Sequence, residues 1–548
     1  MTALGGETPR KRVILVVLLA AAVGPYLVGL GDSSLWDANE SFYAETARTM
    51  VETGDYVNPT FNGKPRFNKP VLPYWIVVVS YHIFGVSEWA ERLPIALGGL
   101  VLVATAFALG KLLGGVDAGL LAAIVLATAP RVLMFSRRII IDVHLAMFAG
   151  LTLLCFALAE TYPDKRRRYL TFMYVAAGLG VLTKGPVAIV VPGIVFLLHL
   201  ALERRLADVR TMRLPVGALI GAAIVLPWYV LVYQQHGWQY IESFVLQENI
   251  LRYTQTIGGD GRGPLFYLPV MLDFLFPWSL LIPLALWAGT RRTINGKPTA
   301  RLLVLWIAVF VGFFSLSNTK QDLYILPIVP ALAALIGGLL AGDLRLPKAS
   351  QAARRVVLAT GLMLFVLSVA LLGVVVVPGR YPLSGLGTAT VALGGCGLTA
   401  AGLAATQRQF AAVTALGVGF AVISWSFVSV TLPDFERYKP VRPLAAIIES
   451  RASPSAVIGS YRLPVPSMVF YLQRPILELH DPVEVARAFA SDEDVYFVMP
   501  EADYRAIRES LAGRTYVVDS HRWLDARLSN LLNDTAFPEI VLVSNRDR

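Results

Sequence analysis

Long apolar runs separated by short polar loops restrict this chain to one kind of architecture. Each run is close to the ~20 residues that an α-helix needs to cross the hydrocarbon core of a bilayer. Only 16% of the residues are charged, against roughly 25% in a soluble domain. We therefore predict a polytopic α-helical membrane protein with about 13 transmembrane helices, at residues 13–31, 93–113, 116–135, 141–160, 169–185, 186–203, 213–234, 267–289, 302–317, 322–341, 356–378, 385–406 and 410–431.

The basic residues indicate how these helices are oriented. Lys and Arg gather in alternate loops, at 10–12, 164–168, 203–213, 290–297 and 345–355. The positive-inside rule then places the N-terminus in the cytoplasm, as an uncleaved first span. The net charge of +10 follows from this topology and does not indicate a nucleic-acid partner. Six cations fall on the outer face against the rule and require another explanation: Lys69, Arg137, Arg138, Lys184, Arg262 and Lys320.

The remaining segments divide the chain in two. Residues 1–431 form the transmembrane domain, with long outer loops at 32–92 and 235–266 and a short interfacial or partly buried helix at 71–85. Residues 432–548 alternate short apolar stretches such as SAVIGSY and DVYFVMP with helical stretches such as ADYRAIRESL. This alternation predicts a small α/β domain, which an odd number of spans places outside the cytoplasm. The two cysteines, Cys155 and Cys396, lie in apolar runs and indicate no disulfide framework.

The stretch LWDANES directly after the first span concentrates Asp37, Asn39 and Glu40. One interpretation is structural, because Asp37 and Glu40 have the three-residue spacing of a capping box at a helix start. The other is catalytic, because the stretch lies on the outer face beside the unexplained cations.

Polar residues at the ends of later spans have similar alternatives. Asp142 lies at membrane depth, where ionisable groups are expensive and usually functional, but it could merely pair with Arg137 or Arg138. Lys184 precedes a Gly-Pro break and could simply extend to the interface. Lys69, Arg262 and Lys320 lie in or beside outer loops that could be ordinary solvated segments. Taken together, these cations predict an anion at the outer interface, and a lipid-linked phosphate supplies one.

The motifs resemble a known family. LWDANESFYAETARTM, GDY and FNKP, followed by IIIDVHLAMF, LTKGP, QENILRYT and SNTKQDLYILP, are similar to the pattern of bacterial GT-C glycosyltransferases that use polyprenyl-phosphate sugars. Lipid A aminoarabinose transferases and, more distantly, protein O-mannosyltransferases are the relatives. The resemblance covers about residues 30–340 and implies a GT-C fold. It also implies sugar transfer from a polyprenyl (undecaprenyl) phosphate to a lipid or glycan acceptor, such as lipid A, at the outer face of the bacterial inner membrane.

The resemblance also implies site residues. The family's acidic pair falls on Asn39 and Glu40, and its membrane-edge aspartate on Asp142, which gives the candidate catalytic residues. The candidate residues for binding the donor phosphate or the acceptor are Tyr43, Lys69, Lys184, Arg262, Lys320 and Tyr324.

Two departures from the family pattern affect the mechanism. Asn39 replaces the usual aspartate, and an amide cannot accept a proton, so a hydroxyl acceptor needs Glu40, Asp142 or Asp37 as the base. A phosphate acceptor needs no strong base. Asn68 replaces a glutamate that belongs to a metal-binding arrangement in some relatives, so a divalent metal ion is left as an open expectation. We predict a single displacement with inversion by a monomer embedded in membrane lipid.

Two other function classes fit the same cations. A transporter or flippase of lipid-linked sugars would use them as a binding site, although no pair of related halves is evident in the sequence. A non-catalytic sugar-lipid binder would explain why Asn39 stands in the catalytic position.

Overall fold

The computed structural model describes residues 9–37, 39–138, 141–255, 262–291, 298–342, 347–373, 383–511, 515–524 and 537–547. They divide into two compact units. The first, here called the membrane unit, comprises Met1–Leu30, Phe67–Ile76 and Arg92–Thr431. The second, here called the loop-and-sheet unit, comprises Gly31–Arg66, Val77–Glu91 and Leu432–Arg548. The division after residue 431 coincides with the predicted boundary, but most of the first outer loop clusters with the C-terminal segment.

The first 431 residues are almost entirely helical. The helices are α1 (Pro9–Val23), α2 (Asn39–Thr53), α3 (Leu72–Phe84), α4 (Glu88–Ala127), α5 (Pro130–Phe135), α6 (Ile141–Thr161), α7 (Arg166–Lys184), α8 (Val187–Leu202), α9 (Leu214–His236), α10 (Trp238–Ile241), α11 (Arg252–Thr254), α12 (Tyr267–Phe274), α13 (Ile282–Thr290), α14 (Thr299–Ser315), α15 (Val329–Leu340), α16 (Pro347–Leu371), α17 (Leu386–Ala405) and α18 (Gln409–Ser426). A π-helical segment, Glu242–Leu251, precedes α11.

Length and hydropathy qualify seven helices among the described residues to cross a membrane, or eight if one bent pair counts as a single span. Several predicted spans correspond to shorter helices, such as α8 and α14, and two share α4. Its 40 residues comprise two helices that meet at Gly114 and Gly115, where the backbone is not helical and Gly115 has a φ of +83°. The predicted fold class, a polytopic α-helical membrane protein, is confirmed, while the count of 13 spans stays a prediction.

The predicted span 267–289 is broken. The segments Pro264–Phe274 and Trp278–Thr290 meet at 117°. Pro277 explains the break, because proline has no N–H to donate and disfavours helical geometry in the residue before it. The helix predicted at 71–85 is present as α3, which buries Tyr74, Val77 and Tyr81 and exposes Ile83 on its other side.

The segment Asp322–Leu340 is the centre of the membrane unit. Its most apolar 18-residue window is 94% buried, whereas the corresponding window of Leu214–His236 is only 17% buried. A helix that is apolar all round and buried must pack against other helices on every side. The outer face of α9 is therefore left for lipid, while Tyr324 is buried at the start of the central segment.

The loop-and-sheet unit contains two sheets. Strands β1 (Thr60–Phe61) and β2 (Lys64–Pro65) form an antiparallel hairpin. The larger sheet has the order β4-β3-β5-β7-β6, from β3 (Val457–Tyr461), β4 (Leu477–Leu479), β5 (Val495–Pro500), β6 (Tyr516–Arg522) and β7 (Glu539–Ser544). Strands β3, β4 and β5 are parallel, and β7 runs antiparallel to β5 and β6. The helices α19 (Leu432–Phe435), α20 (Val441–Arg451), α21 (Ser467–Leu472), α22 (Pro482–Phe489) and α23 (Glu501–Ile507) complete the small α/β domain that the sequence predicted.

Candidate active site

Lys69 and Arg252 share one carboxylate in the membrane unit. The Lys69 ammonium lies 2.5 Å from Glu248 Oε2, and the Arg252 guanidinium lies 3.2 Å from the same oxygen. Burial lowers the pKa of Lys69 below the usual 10.5, and the neighbouring Glu248 carboxylate offsets part of that effect. Lys184 and Arg252 lower the pKa of Lys69 further by charge repulsion. The three cations therefore lie within electrostatic range of one another.

Lys184 pairs with Asp142, and its ammonium also lies 4.7 Å from the centroid of the Tyr324 ring. The Asp142 side chain is only 9% exposed and that of Lys184 only 15%, so the pair is largely shielded from water. The alternative partner for Asp142, Arg137, instead donates to the backbone carbonyls of Val28 and Gly29 at 2.7 and 2.8 Å. Asp142 therefore pairs with Lys184 and not with Arg137.

Helix ends bring Asp142 and Lys184 together. Asp142 lies in the first turn of α6, and Lys184 is the last residue of α7. A carboxylate at a helix N-terminus and an ammonium at a C-terminus both complement the helix dipole. Gly185 ends α7 with a φ of +94°, and a Cβ there would lie 2.9 Å from the Phe244 ring. The Gly-Pro break predicted from the sequence thus fixes where Lys184 emerges.

We call this group the cation cluster. It comprises three cations, two carboxylates and one buried phenol: Lys69, Lys184, Arg252, Asp142, Glu248 and Tyr324. Tyr324 lies within electrostatic range of Lys184, Arg252, Asp142 and Glu248, so the members form one site. The formal charge of the cluster is +1, from three positive and two negative side chains, and it complements a phosphodiester.

The candidate residues Arg262 and Lys320 lie together through a hydrogen bond to the backbone. Arg262 donates to the carbonyl of Lys320 at 3.0 Å, and the Lys320 ammonium donates to the carbonyl of Ser317 at 2.5 Å. The exposed Arg262 guanidinium also stacks 4.6 Å from the centroid of the Phe266 ring. These contacts stabilise the turn at residues 317–320, directly before the central segment.

The loop-and-sheet unit holds Asn39, Glu40 and Tyr43 on α2. Asn39 is exposed at the first position of the helix, whereas Glu40 is only 1% exposed and accepts a hydrogen bond from the backbone N–H of Trp36 at 2.7 Å. Tyr43 is buried, and the Arg66 guanidinium lies 5.9 Å from the centroid of its ring. Glu40 thus makes the side-chain to backbone bond of a capping box, but to the N–H of Trp36 and not, as the spacing predicted, to that of Asp37.

Asp37 has a partner far along the chain. Its carboxylate accepts hydrogen bonds from the backbone N–H and the hydroxyl of Ser467, at 2.7 and 2.8 Å. Ser467 is the first residue of α21. Asp37 therefore caps a helix of the α/β domain, which the spacing of LWDANES did not indicate.

Glu248 and Arg252 belong to the site, but the sequence did not single them out. Both lie in the QENILRYT motif, and their four-residue spacing was the only signal that the sequence offered. The structure adds that Glu248 lies in the π-helical segment Glu242–Leu251, and π-helices concentrate at functional sites. Arg131 was also missed: it pairs with both Asp273 and Asp322.

A divalent metal ion finds no donor set among the described residues. No three His, Cys, Asp or Glu side chains converge there. Asn68 is exposed, and its amide carries no charge to replace the carboxylate of relatives. The residues in this part of the chain do not fit such an ion, and no step below depends on one.

The fold is similar to that of solved GT-C enzymes. The chain shares its fold with ArnT from Cupriavidus metallidurans bound to undecaprenyl phosphate, at a TM-score of 0.79 and 23% identity, over 98% of this chain and 99% of that one. The archaeal oligosaccharyltransferase AglB from Archaeoglobus fulgidus, in complex with an inhibitory peptide and a dolichol-phosphate, gives a TM-score of 0.50 at 14% identity, over 91% of this chain and 71% of that one. The predicted GT-C fold is confirmed.

Sequence comparison narrows the resemblance. A family model for dolichyl-phosphate-mannose-protein mannosyltransferase matches residues 68–231. The undecaprenyl phosphate-alpha-4-amino-4-deoxy-L-arabinose arabinosyl transferase of Pseudomonas savastanoi is 30% identical over 324 residues, which cover 58% of this chain and 60% of the relative. That of Pseudomonas paraeruginosa is 30% identical over 326 residues, 58% of each chain. The chain thus matches about three fifths of the length of these relatives. The predicted resemblance to polyprenyl-phosphate-sugar glycosyltransferases is confirmed.

Proposed function

We propose that this multi-pass membrane protein is a glycosyltransferase that moves a sugar from a polyprenyl phosphate to a lipid or glycan acceptor. The cation cluster carries the proposal. Lys69, Lys184 and Arg252 lie near one another and are partly shielded from water, with Lys184 at the end of α7. A phosphate linked to a long apolar chain can bind there with its chain in the bilayer. The names of the similar arabinosyl transferases support undecaprenyl phosphate as the carrier.

The charges of the cluster suit a phosphate that gains charge during the reaction. A sugar polyprenyl phosphodiester carries one negative charge, and the polyprenyl phosphate that leaves carries up to two. Asp142 and Glu248 pair with these cations before the donor binds. A phosphate competes well for these cations, because lysine acts as a point charge and arginine as a bidentate fork. Preorganised cations in a shielded site stabilise the leaving group, which is often the largest catalytic contribution.

The transfer proceeds by a single displacement. The acceptor oxygen attacks the anomeric carbon, the bond from that carbon to the phosphate oxygen breaks, and the electron pair leaves with the polyprenyl phosphate. A hydroxyl acceptor gives its proton to a carboxylate. Asp142 serves once the donor phosphate draws Lys184 away from it, and Glu40 is the other candidate. Asn39 orients the acceptor through its amide, and the product has inverted anomeric configuration.

The length of α7 supports the proposed orientation. Its first three residues, Arg166, Arg167 and Arg168, and its last residue, Lys184, lie at opposite ends of 19 residues. At 1.5 Å per residue this separation is about 28 Å, close to the ~30 Å hydrocarbon core. Because basic loops stay in the cytoplasm, the cation cluster faces the periplasm of a bacterial inner membrane. The acceptor is then a component of the outer leaflet or of the envelope, such as lipid A.

Product analysis tests the proposal. Purified protein is incubated with undecaprenyl-phosphate aminoarabinose and, in parallel, with lipid A, other lipid-linked glycans or a protein acceptor. Mass spectrometry is expected to show one acceptor gaining the sugar, and NMR of the product to show inverted configuration. Glu40→Gln and Asp142→Asn are each expected to lose most of the activity at normal expression. A retained configuration excludes the single displacement, and wild-type turnover of Glu40→Gln excludes Glu40 as the base.

A further inference from the structure

A second feature lies in the membrane unit, in the part of the chain where the first and the last spans meet. A cavity of about 800 Å³, open to the surroundings along its length, is lined by residues from α1, α17 and α18. Its walls are apolar or small along most of their length, with Ile14 and Val422 on two of the helices. Arg10 and Lys11, in the first turn of α1, also line it. The proposed sugar transfer makes no use of this cavity.

The cations stand at one end of the cavity. The Lys11 ammonium lies 5.2 Å from the centroid of the Phe410 ring at the start of α18. Phe410 and Val422 both line the cavity. They are twelve residues apart, or about 18 Å along a helix at 1.5 Å per residue. Half of the ~30 Å hydrocarbon core is about 15 Å, so the apolar part fits an acyl chain of one leaflet beneath a charged headgroup.

The neighbouring cation Arg12 does not line the cavity, because its guanidinium pairs with Asp117 at 2.7 Å. The charged residues of the lining are Arg10 and Lys11. Basic pockets between membrane helices on the cytoplasmic side suit anionic lipid headgroups. We propose that this cavity binds one anionic phospholipid of the leaflet in which α1 begins. Arg10 and Lys11 hold its phosphate, and an acyl chain lies along α17 and α18. The proposal does not depend on the proposed glycosyl transfer.

Glycines allow the cavity to be filled without disturbing the protein. A Cβ built on Gly395, which lines the cavity on α17, meets no atom within 4 Å. Gly395→Leu therefore projects its side chain into the cavity. Gly221 on α9 is equally open and does not line the cavity, so Gly221→Leu is the matched control. For the charges, Lys111→Gln on α4 is the control for the double variant Arg10→Gln/Lys11→Gln.

Native mass spectrometry tests the site. The protein is incubated with equal amounts of phosphatidylglycerol and phosphatidylcholine that carry the same acyl chains, and the bound lipid is counted. The wild type and Lys111→Gln are expected to retain one phosphatidylglycerol. Since each cation near an anionic headgroup contributes about a fivefold preference, Arg10→Gln/Lys11→Gln is expected to reduce the preference for phosphatidylglycerol about 25-fold.

The cavity-filling variant completes the test. Gly395→Leu is expected to lose the bound phospholipid, and Gly221→Leu to keep it. Three results would overturn the proposal: equal retention of the two lipids by the wild type, an unchanged preference in the double variant, and displacement of phosphatidylglycerol by equimolar undecaprenyl phosphate.

Discussion

The ammonium of Lys184 pairs with the carboxylate of Asp142 and faces the ring of Tyr324, at 4.7 Å from its centroid. Both charged groups are at helix ends, and both are largely shielded from water. A salt bridge in such a place stabilises a fold poorly, because the cost of desolvating two charges offsets most of their attraction. We therefore propose that the pair is a preassembled cation and base that separate when a phosphate binds.

The first prediction separates these two roles of the pair. Lys184→Met alone leaves Asp142 buried without its partner and is expected to destabilise the protein by about 3–5 kcal/mol. The double variant Lys184→Met/Asp142→Leu is expected to recover most of that stability without recovering sugar transfer. Thermal unfolding and transfer assays on both variants check this. The partly buried pair of Arg166 and Glu160, at 2.5 Å in the same unit, is the control, and its loss is expected to affect stability but not the activity of the folded protein.

The second prediction is that substitutions at Lys69 and Glu248 change the affinity for undecaprenyl phosphate in opposite directions. Lys69→Gln removes a cation and is expected to weaken binding of undecaprenyl phosphate about tenfold. Glu248→Gln removes the carboxylate that competes with phosphate for Lys69 and Arg252, so it is expected to tighten binding several-fold. Equilibrium binding to the purified variants measures both changes. Weaker binding in Glu248→Gln would show that Glu248 positions the cations and does not compete for them.

The third prediction concerns pH. Because burial lowers the pKa of Lys69, this residue loses its proton at a lower pH than an ordinary lysine. Binding of undecaprenyl phosphate is therefore expected to be complete below that pKa and to fall as the pH rises through it. Lys69→Arg stays protonated throughout and is expected to move the fall to higher pH. The binding curve is measured between neutral and alkaline pH for both proteins, and identical curves would exclude Lys69 as the titrating group.

The fourth prediction distinguishes Asp37 from the catalytic candidates. Asp37→Ala removes the cap of α21 and is expected to cost about 0.5–2 kcal/mol of stability. Asp37→Asn keeps an acceptor oxygen and is expected to recover part of that loss. Transfer rates per folded molecule are expected to stay unchanged in both variants. A large drop in rate at unchanged stability would instead place Asp37 among the candidate bases.

The sequence predicted the local position of two candidate residues, because that information is local. The Gly-Pro break placed Lys184 at a helix end, and the start of the fourth apolar run placed Asp142 in a first turn. The partners of these residues were not predictable, because the pair joins positions 42 residues apart. The bond from Ser467 to Asp37 spans 430 residues and was equally out of reach. Glu248 was missed because a carboxylate four residues before an arginine usually indicates only a solvated helix face.

Hydropathy predicted the fold class for a similar reason. Apolar runs report burial in lipid directly, but they do not report where a helix bends. The non-helical backbone at Gly114 and Gly115 separates two helices at the boundary between the predicted spans 93–113 and 116–135, whereas the 117° bend divides an apolar run that looked like a single span. Pro277 accounts for that bend, but hydropathy alone does not indicate it.

Release of the carrier phosphate tests the central claim most directly. The protein is reconstituted with undecaprenyl-phosphate aminoarabinose and lipid A, and the undecaprenyl phosphate set free is measured beside the sugar gained by the acceptor. A glycosyltransferase is expected to release one undecaprenyl phosphate for each sugar transferred, and none without acceptor. Lys184→Met is expected to abolish both signals. Movement of the intact sugar lipid across the bilayer with no release of undecaprenyl phosphate, whichever acceptor is supplied, would contradict the proposal.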